Sequence, residues 1–223
     1  MPTFNCPSCG APVPFHSELS VSAVCTYCRS LVVRRDVDVE AIGKVAQLPP
    51  DMSPFRIGTQ AYDGKMRFTL IGKVRMKWSD GFWNEWFFAT DDGRKGWLAE
   101  AQGTYALSYE STASLEAGTQ SWVNRMLGRG DKRPPPQVGA VMTLEGRKFM
   151  LTDVKSARCI GTDGELPMIR PTDSETRSYD FQGGPDQFAT FEIGEGEPRI
   201  FIGRYVEWDD LRASELSVIE GWS

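Results

Sequence analysis

The residues of this chain best suited to chemistry are its cysteines, 5 in a chain of 223 residues. Four form two pairs, Cys6-Pro7-Ser8-Cys9 and Cys25-Thr26-Tyr27-Cys28, with 15 residues between them. Two residues between thiolates let one tight turn aim both sulfurs at a single ion. Two such turns complete a tetrahedron with metal–sulfur distances of about 2.3 Å. The expected cofactor is one structural Zn2+ held by Cys6, Cys9, Cys25 and Cys28, closed to water and substrate. The same spacing also suits a rubredoxin-like iron site, and disulfides would require an oxidising compartment. Gly10 follows the first pair, where a positive φ is expected, whereas Arg29 follows the second and is expected to strain it. So short a segment has little core, and metal binding should supply most of its folding free energy.

Little other catalytic chemistry has candidates. The single histidine, His16, excludes multi-histidine metal sites and is expected at the ribbon surface with no ligand role. Cys159 in Ser156-Ala157-Arg158-Cys159-Ile160 has no neighbours that mark a reactive thiol and reads as buried packing. A carboxylate-based enzyme could draw on Glu85, Asp91, Asp92, Asp163, Glu165, Asp180, Asp209 and Asp210. Asp91-Asp92 and Gly161-Thr162-Asp163-Gly164, however, read more simply as turns, and Glu165 as a loop anchor. No phosphate-loop or dinucleotide motif is present.

Charge divides the chain. The net charge of −5 lies in residues 137–223, with 9 Lys+Arg against 16 Asp+Glu. Nucleic-acid binders are usually basic, so this balance counts against one. No run approaches the roughly 20 apolar residues of a membrane span. The start of the chain lacks the basic-then-apolar pattern of a secretory signal. A cytoplasmic protein with no transmembrane segment is expected.

The elements that position these residues read as mostly β. Val13-Pro14-Phe15 and Leu31-Val32-Val33 are the strands a zinc ribbon needs, which places the ribbon at 1–35. Residues 36–54 read as a linker, with a helix of one or two turns over 37–45 and a Pro49-Pro50 pair. Residues 66–78 alternate strictly: Met66, Phe68, Leu70, Gly72, Val74, Met76 and Trp78 on one face, and Arg67, Thr69, Ile71, Lys73, Arg75 and Lys77 on the other. That is a half-buried antiparallel strand bent at Gly72, with a solvated basic face balanced by Asp80, Asp91 and Asp92. An aromatic strand over 82–88 comes next, then a turn at Asp91-Asp92-Gly93-Arg94, a strand at Gly96-Trp97-Leu98 and another over 104–109. This completes a first β-module at 55–110.

Residues 111–136 read as a second linker. It holds a short amphipathic helix with Leu115, Trp122, Val123, Met126 and Leu127 at helical spacings and Gly128 as its stop. The basic residues Arg129, Lys132 and Arg133 come after it. A second β-module at 137–223 has short strands at 157–160, 178–181, 188–193, 199–202 and 205–208. The modules echo each other at an offset of about 81 residues. Ile57-Gly58 matches Val138-Gly139, Asp63-Gly64-Lys65 matches Glu145-Gly146-Arg147, and Phe68-Thr69-Leu70 matches Phe149-Met150-Leu151. The expected fold is an N-terminal zinc ribbon followed by two related small antiparallel β-barrels or sandwiches.

The order of these stretches resembles the bacterial domain of unknown function 4178 family. The segments that carry it are CPSCGAPVPF and VSAVCTYCRSLVVR, then RIGTQAYDGKMRFTLIGKVR, WNEWFF and GWLAEAQGTYALS. The second half adds QVGAVMTLEGRKFML, ARCIGTDGELP and FIGRYVEWDDL. The resemblance implies tandem copies of that domain behind a zinc ribbon. It also implies a cytosolic accessory role, encoded near membrane-associated envelope-stress proteins and polyamine-synthesis-like enzymes. It brings no catalytic residues.

The expectation is therefore a non-enzymatic accessory or scaffold protein that binds protein partners, including membrane-associated ones, at the periphery of the inner membrane. Its candidate partner surface is the aromatic strand at Trp83, Glu85 and Trp86, together with Trp97. The alternatives are a nucleic-acid-binding module using the ribbon and the basic strand 66–78, and a carboxylate-based enzyme.

Overall fold

The structure is a computed structural model that describes residues 2–35, 38–48, 51–111, 117–129, 134–194 and 198–218. Pro49, Pro50, Leu115, Lys132 and Arg133 lie outside the described residues. The chain is mostly β, and the strand pairings among the described residues are antiparallel. It forms two compact units, 1–107 with 158–174 and 206–223, and 108–157 with 175–205. These units do not follow the boundaries at 55, 111 and 137 expected from the sequence. The ribbon and the first β-module share one unit, which also takes in 158–174 and 206–223 from the second half of the chain.

In the first unit, β1 (Thr3–Asn5) pairs with β2 (Pro12–Pro14). Strands β3 (Ser22–Val24), β4 (Ser30–Arg35) and β5 (Asp38–Lys44) form a meander. Residues 38–44 are thus a strand and not the expected helix; Val39 and Ala41 register against Arg34 and Val32. Phe15, Val13, Ala23 and Val32 pack with Cys6 and Cys25 into a small apolar cluster, which covers the inner side of the cysteine turns.

The rest of this unit is built on β6 (Gln60–Asp63), β7 (Met66–Trp78), β8 (Gly81–Thr90), β9 (Lys95–Ala101) and β10 (Thr104–Glu110), the last passing into the second unit. The alternating segment is strand β7 over its full expected length. Its register against β8 slips between Leu70 and Gly72, a bulge beside the expected bend. Beyond that slip β7 is covered on both faces. Lys73 and Arg75 are buried at 9% and 1% exposure, so the expected solvated basic face is confined to the strand ends. Arg67, near one end, pairs with Asp91, as the sequence balance suggested.

The second unit holds α1 (Ala117–Leu127), β11 (Val141–Leu144), β13 (Glu175–Gln182), β14 (Gln187–Ile193) and most of β15 (Arg199–Val206). It also holds the first half of β12 (Arg147–Leu166), whose last residues run into the first unit. Helix α1 is no spacer. Its Val123 and Met126 are buried against Met142, Phe149, Phe181 and Phe191, and Gly128, at φ 64°, ends it as expected. Residues 157–166 do not form a short strand and a turn. They continue β12, with Gly161, Thr162, Asp163 and Gly164 all paired to β7. The last element is α2 (Trp208–Leu211), in the first unit.

Two segments at an offset of 81 residues share a backbone hydrogen-bond pattern. Gly58 N–H donates to the Leu70 carbonyl and Leu70 N–H to the Thr59 carbonyl, at 2.8 and 2.9 Å. Gly139 N–H donates to Leu151, and Leu151 N–H to Ala140, both at 2.8 Å. Phe68 and Leu70 in one hairpin, and Phe149 and Leu151 in the other, are fully buried.

Candidate metal centre

Each cysteine pair sits on a turn closed by the same pair of backbone hydrogen bonds. In the first turn Gly10 N–H donates to the Cys6 carbonyl and Cys6 N–H to Ala11, both at 2.8 Å. In the second Arg29 N–H donates to Cys25, and Cys25 N–H to Ser30, both at 2.9 Å. The position after each pair has positive φ, 77° at Gly10 and 62° at Arg29. The expected departure at Arg29 is thus real backbone strain. It is offset by the side chain, whose guanidinium donates to Asp163 Oδ1 at 2.9 Å and to the Thr162 and Ala46 carbonyls at 3.0 and 3.2 Å.

The turns bring all four sulfurs within 4.8 Å of one another. Cys6 and Cys28 Sγ are 3.7 Å apart, and Cys9 and Cys25 Sγ are 3.8 Å apart. A tetrahedron with metal–sulfur bonds of about 2.3 Å has edges of about 3.8 Å, the separation of these two sulfur pairs, so the cluster has dimensions that could hold a tetrahedral ion. Cys6 and Cys25 are buried, Cys28 is half-buried and Cys9 is exposed. Ionising all four thiols crowds negative charge into one spot that only a cation can balance, and the individual thiols show the conflict. The Ser30 hydroxyl, 3.2 Å from Cys28 Sγ, and then the Ser30 backbone hold Cys28 down to about 6. At Cys9 the Ala11 amide favours the thiolate, but the neighbouring thiols and burial outweigh it and push the group up to about 12. A metal ion bound there would resolve that opposition by holding all four as thiolates.

The ribbon is fastened to β12 at two points on the same unit. Glu165, 3% exposed, accepts from His16 N–H at 2.8 Å and from Ser17 N–H at 3.3 Å, and lies 2.6 Å from His16 Nδ1. Arg29 and Asp163 form the second point. Between them, Ala23 and Ser22 of β3 pair with Glu165 and Leu166. Glu165 therefore anchors the loop after β2, as its sequence setting suggested, and His16 is an exposed partner of that carboxylate outside the cysteine cluster.

The other candidates scatter. Trp86 and Trp97 are core side chains, 2% and 7% exposed. Trp86 packs against Phe55, and Trp97 against Phe87, so the expected aromatic surface loses two of its four members. Trp83 and Glu85 are half-buried and joined by a 2.9 Å hydrogen bond from the indole N–H to the carboxylate. Cys159 is fully buried, and burial pushes its thiol up, consistent with packing. Among the candidate carboxylates, Asp91, Asp92, Asp163, Glu165 and Asp180 are each paired with an Arg, Lys or His side chain. Asp209 and Asp210 lie exposed in the first turn of α2. Glu100, which no sequence motif marks, is a further buried carboxylate with several donors. It accepts from Trp86 Nε1, Asn84 Nδ2 and the Ser53 hydroxyl. Its only signal in the sequence is an acid in an otherwise apolar strand.

Fold and site together define a mostly β protein with a cluster of four cysteines, able to hold a metal ion, at its N-terminal end. The chain belongs to the family described as Domain of unknown function (DUF4178), which matches residues 60–208. That stretch runs from the start of β6 to the first residue of α2 and begins after the ribbon. No curated protein and no solved structure matches the chain. No helix among the described residues is long and apolar enough to cross a membrane.

Proposed function

We propose that this chain is a non-enzymatic accessory protein in which a structural Zn2+ on Cys6, Cys9, Cys25 and Cys28 holds a ribbon used, with the adjoining sheet, to bind a protein partner. The observation that carries the reading is the clustering of four cysteine sulfurs within 4.8 Å of one another. Four thiolates fill the sphere of a tetrahedral ion and leave no position for a substrate. The ion fixes a fold and performs no chemistry there. Pairing of Asp91, Asp92, Asp163 and Asp180 with Arg or Lys side chains supports the non-enzymatic part, because an acid and a base need carboxyls available to substrate. Burial of Lys73 and Arg75 removes two of the four cations of the basic stripe a nucleic acid would need, which favours a protein partner.

Of the four candidate surface residues, Trp83 combines partial exposure with a large ring, and the proposed contact is centred there. Comparison of co-purifying proteins on wild type and on Trp83→Ala tests this. The expected result is loss of one specific protein from the variant with its thermal midpoint nearly unchanged. Retention of every partner, or a collapse in stability, contradicts the assignment of Trp83 to recognition.

A further inference from the structure

Residues 45–48 and 51–54, read from sequence as the end of a linker, lie with Phe55 and Arg56 as a strap across one face of the first unit. Leu48 packs over Gly161 of β12, where an added Cβ would lie 2.7 Å from its Cδ2. Farther on, Ser53 Oγ donates to Glu100 of β9 at 2.7 Å. Phe55 then packs among Trp86, Tyr105 and Trp208 with ring centroids 5.6–6.1 Å apart. Between these contacts the strap places Asp51 over β7 and β8.

The Asp51 side chain meets a set of donors made for a carboxylate. A single oxygen, Oδ2, lies 2.7 Å from Lys73 Nζ and 2.9 Å from Asn84 Nδ2, and it also contacts Arg75 Nη2. Arg75 is held in turn by a 3.1 Å hydrogen bond from Nε to Asn84 Oδ1, and Lys73 sits 4.4 Å from the centre of the Trp86 ring. The donors belong to the rigid sheet and are buried, with Lys73, Arg75 and Asn84 at 9%, 1% and 6% exposure. Their carboxylate comes from the strap, and its side chain keeps 15% exposure. Two buried cations on one strand are costly without anions, and apolar residues of similar size would serve stability as well or better. Buried Glu100 favours the charged form of both, and Asp51 adds the direct contact. The donor half of the contact is built on strands of the sheet, and the carboxylate half on a segment outside the strands.

We propose that Lys73, Arg75 and Asn84 form a carboxylate-binding site that the strap closes with its own Asp51, so that an external carboxylate and the strap compete for it. The ligand class is a carboxylate, either on a small free acid or on an acidic side chain of a peptide. Because Asp51 occupies the site in the closed state, an external ligand binds with its affinity reduced by the fraction of molecules that are open. The site shares no residue with the cysteine cluster, so anion binding here does not depend on which metal the cysteines hold.

The test is chemical rescue of Asp51→Ala in the full metal-loaded chain, using sodium formate or acetate with sodium chloride at matched ionic strength as the control. The variant should melt below wild type, and formate or acetate should raise its midpoint by several degrees beyond the chloride control. Wild type should bind the same anions at least about tenfold more weakly. Adding Lys73→Met to Asp51→Ala should abolish the rescue. If Asp51→Ala does not fold alone, its folding yield against formate concentration is the readout, and a yield that formate does not increase counts against the site. A peptide with one Asp, at the same carboxylate concentration, separates the two sources: tighter binding than acetate names an acidic chain, equal or weaker binding a free acid. Rescue no greater than in chloride, or equal in wild type and variant, overturns the proposal. Metal content, measured on the same samples, should not change with Asp51→Ala.

Discussion

The two cysteine turns share a backbone conformation and differ in the residue that comes next. Both close with the same hydrogen bonds and both place that residue at positive φ. The first uses Gly10, which adopts the conformation at little steric cost and has no atom within 4 Å of where a Cβ would stand. The second uses Arg29, which accepts the strain and places its guanidinium on Asp163 and the Thr162 carbonyl of β12. The first turn therefore serves the cysteine cluster alone, whereas the second also joins that cluster to the sheet. A residue that breaks a local rule has a compensating long-range contact, as expected when local preference and tertiary structure conflict.

Mutations can break or sharpen this difference. The largest effect is expected for Cys25→Ser, which removes a metal ligand and the start of the turn that reaches β12. The variant should lose its metal and the ribbon its protection in amide exchange, because binding to such sites carries about 10 kcal/mol or more of apparent free energy. Arg29→Ala should cost about 2 kcal/mol in denaturant unfolding, since it keeps a Cβ at positive φ and loses the charged hydrogen bonds. Arg29→Gly should recover about 1 kcal/mol of that loss by relieving the backbone. If both variants at position 29 are neutral, the second turn is no more tied to the sheet than the first. The smallest effect is expected for Gly10→Ala, about 1 kcal/mol of backbone strain with no steric clash. Its metal content should match wild type.

Legibility in the sequence divides along the same line. The cysteine spacing, the long alternating strand and the helix before Gly128 are local patterns, and each was legible. The hidden features depend on distant partners. Glu165 reaches His16 across 149 residues, and no local pattern reports such a contact. The alternation over 66–78 identified a strand but not its environment, because the register slip after Leu70 and the strap over Lys73 and Arg75 are tertiary.

Glycines misled the reading of 161–164 for a physical reason. Gly164 pairs with Gly72 where β12 and β7 approach closely, and a Cβ on Gly72 would strike the Glu165 carbonyl. Glycine there permits a close backbone approach inside a strand, yet in sequence it looks like a turn. The matching hydrogen bonds at Gly58 and Gly139 follow the sequence echo, but α1 belongs to the unit built from the later strands. A boundary drawn along the chain cannot represent that exchange.

Everything proposed for the ribbon rests on Cys6, Cys9, Cys25 and Cys28 holding one structural zinc. Metal analysis combined with X-ray absorption on the purified chain tests it most directly. The predicted result is one zinc per chain with four sulfurs at about 2.3 Å around it. Iron in that position, fewer than four sulfurs, or a metal-free chain with an ordered ribbon would contradict it.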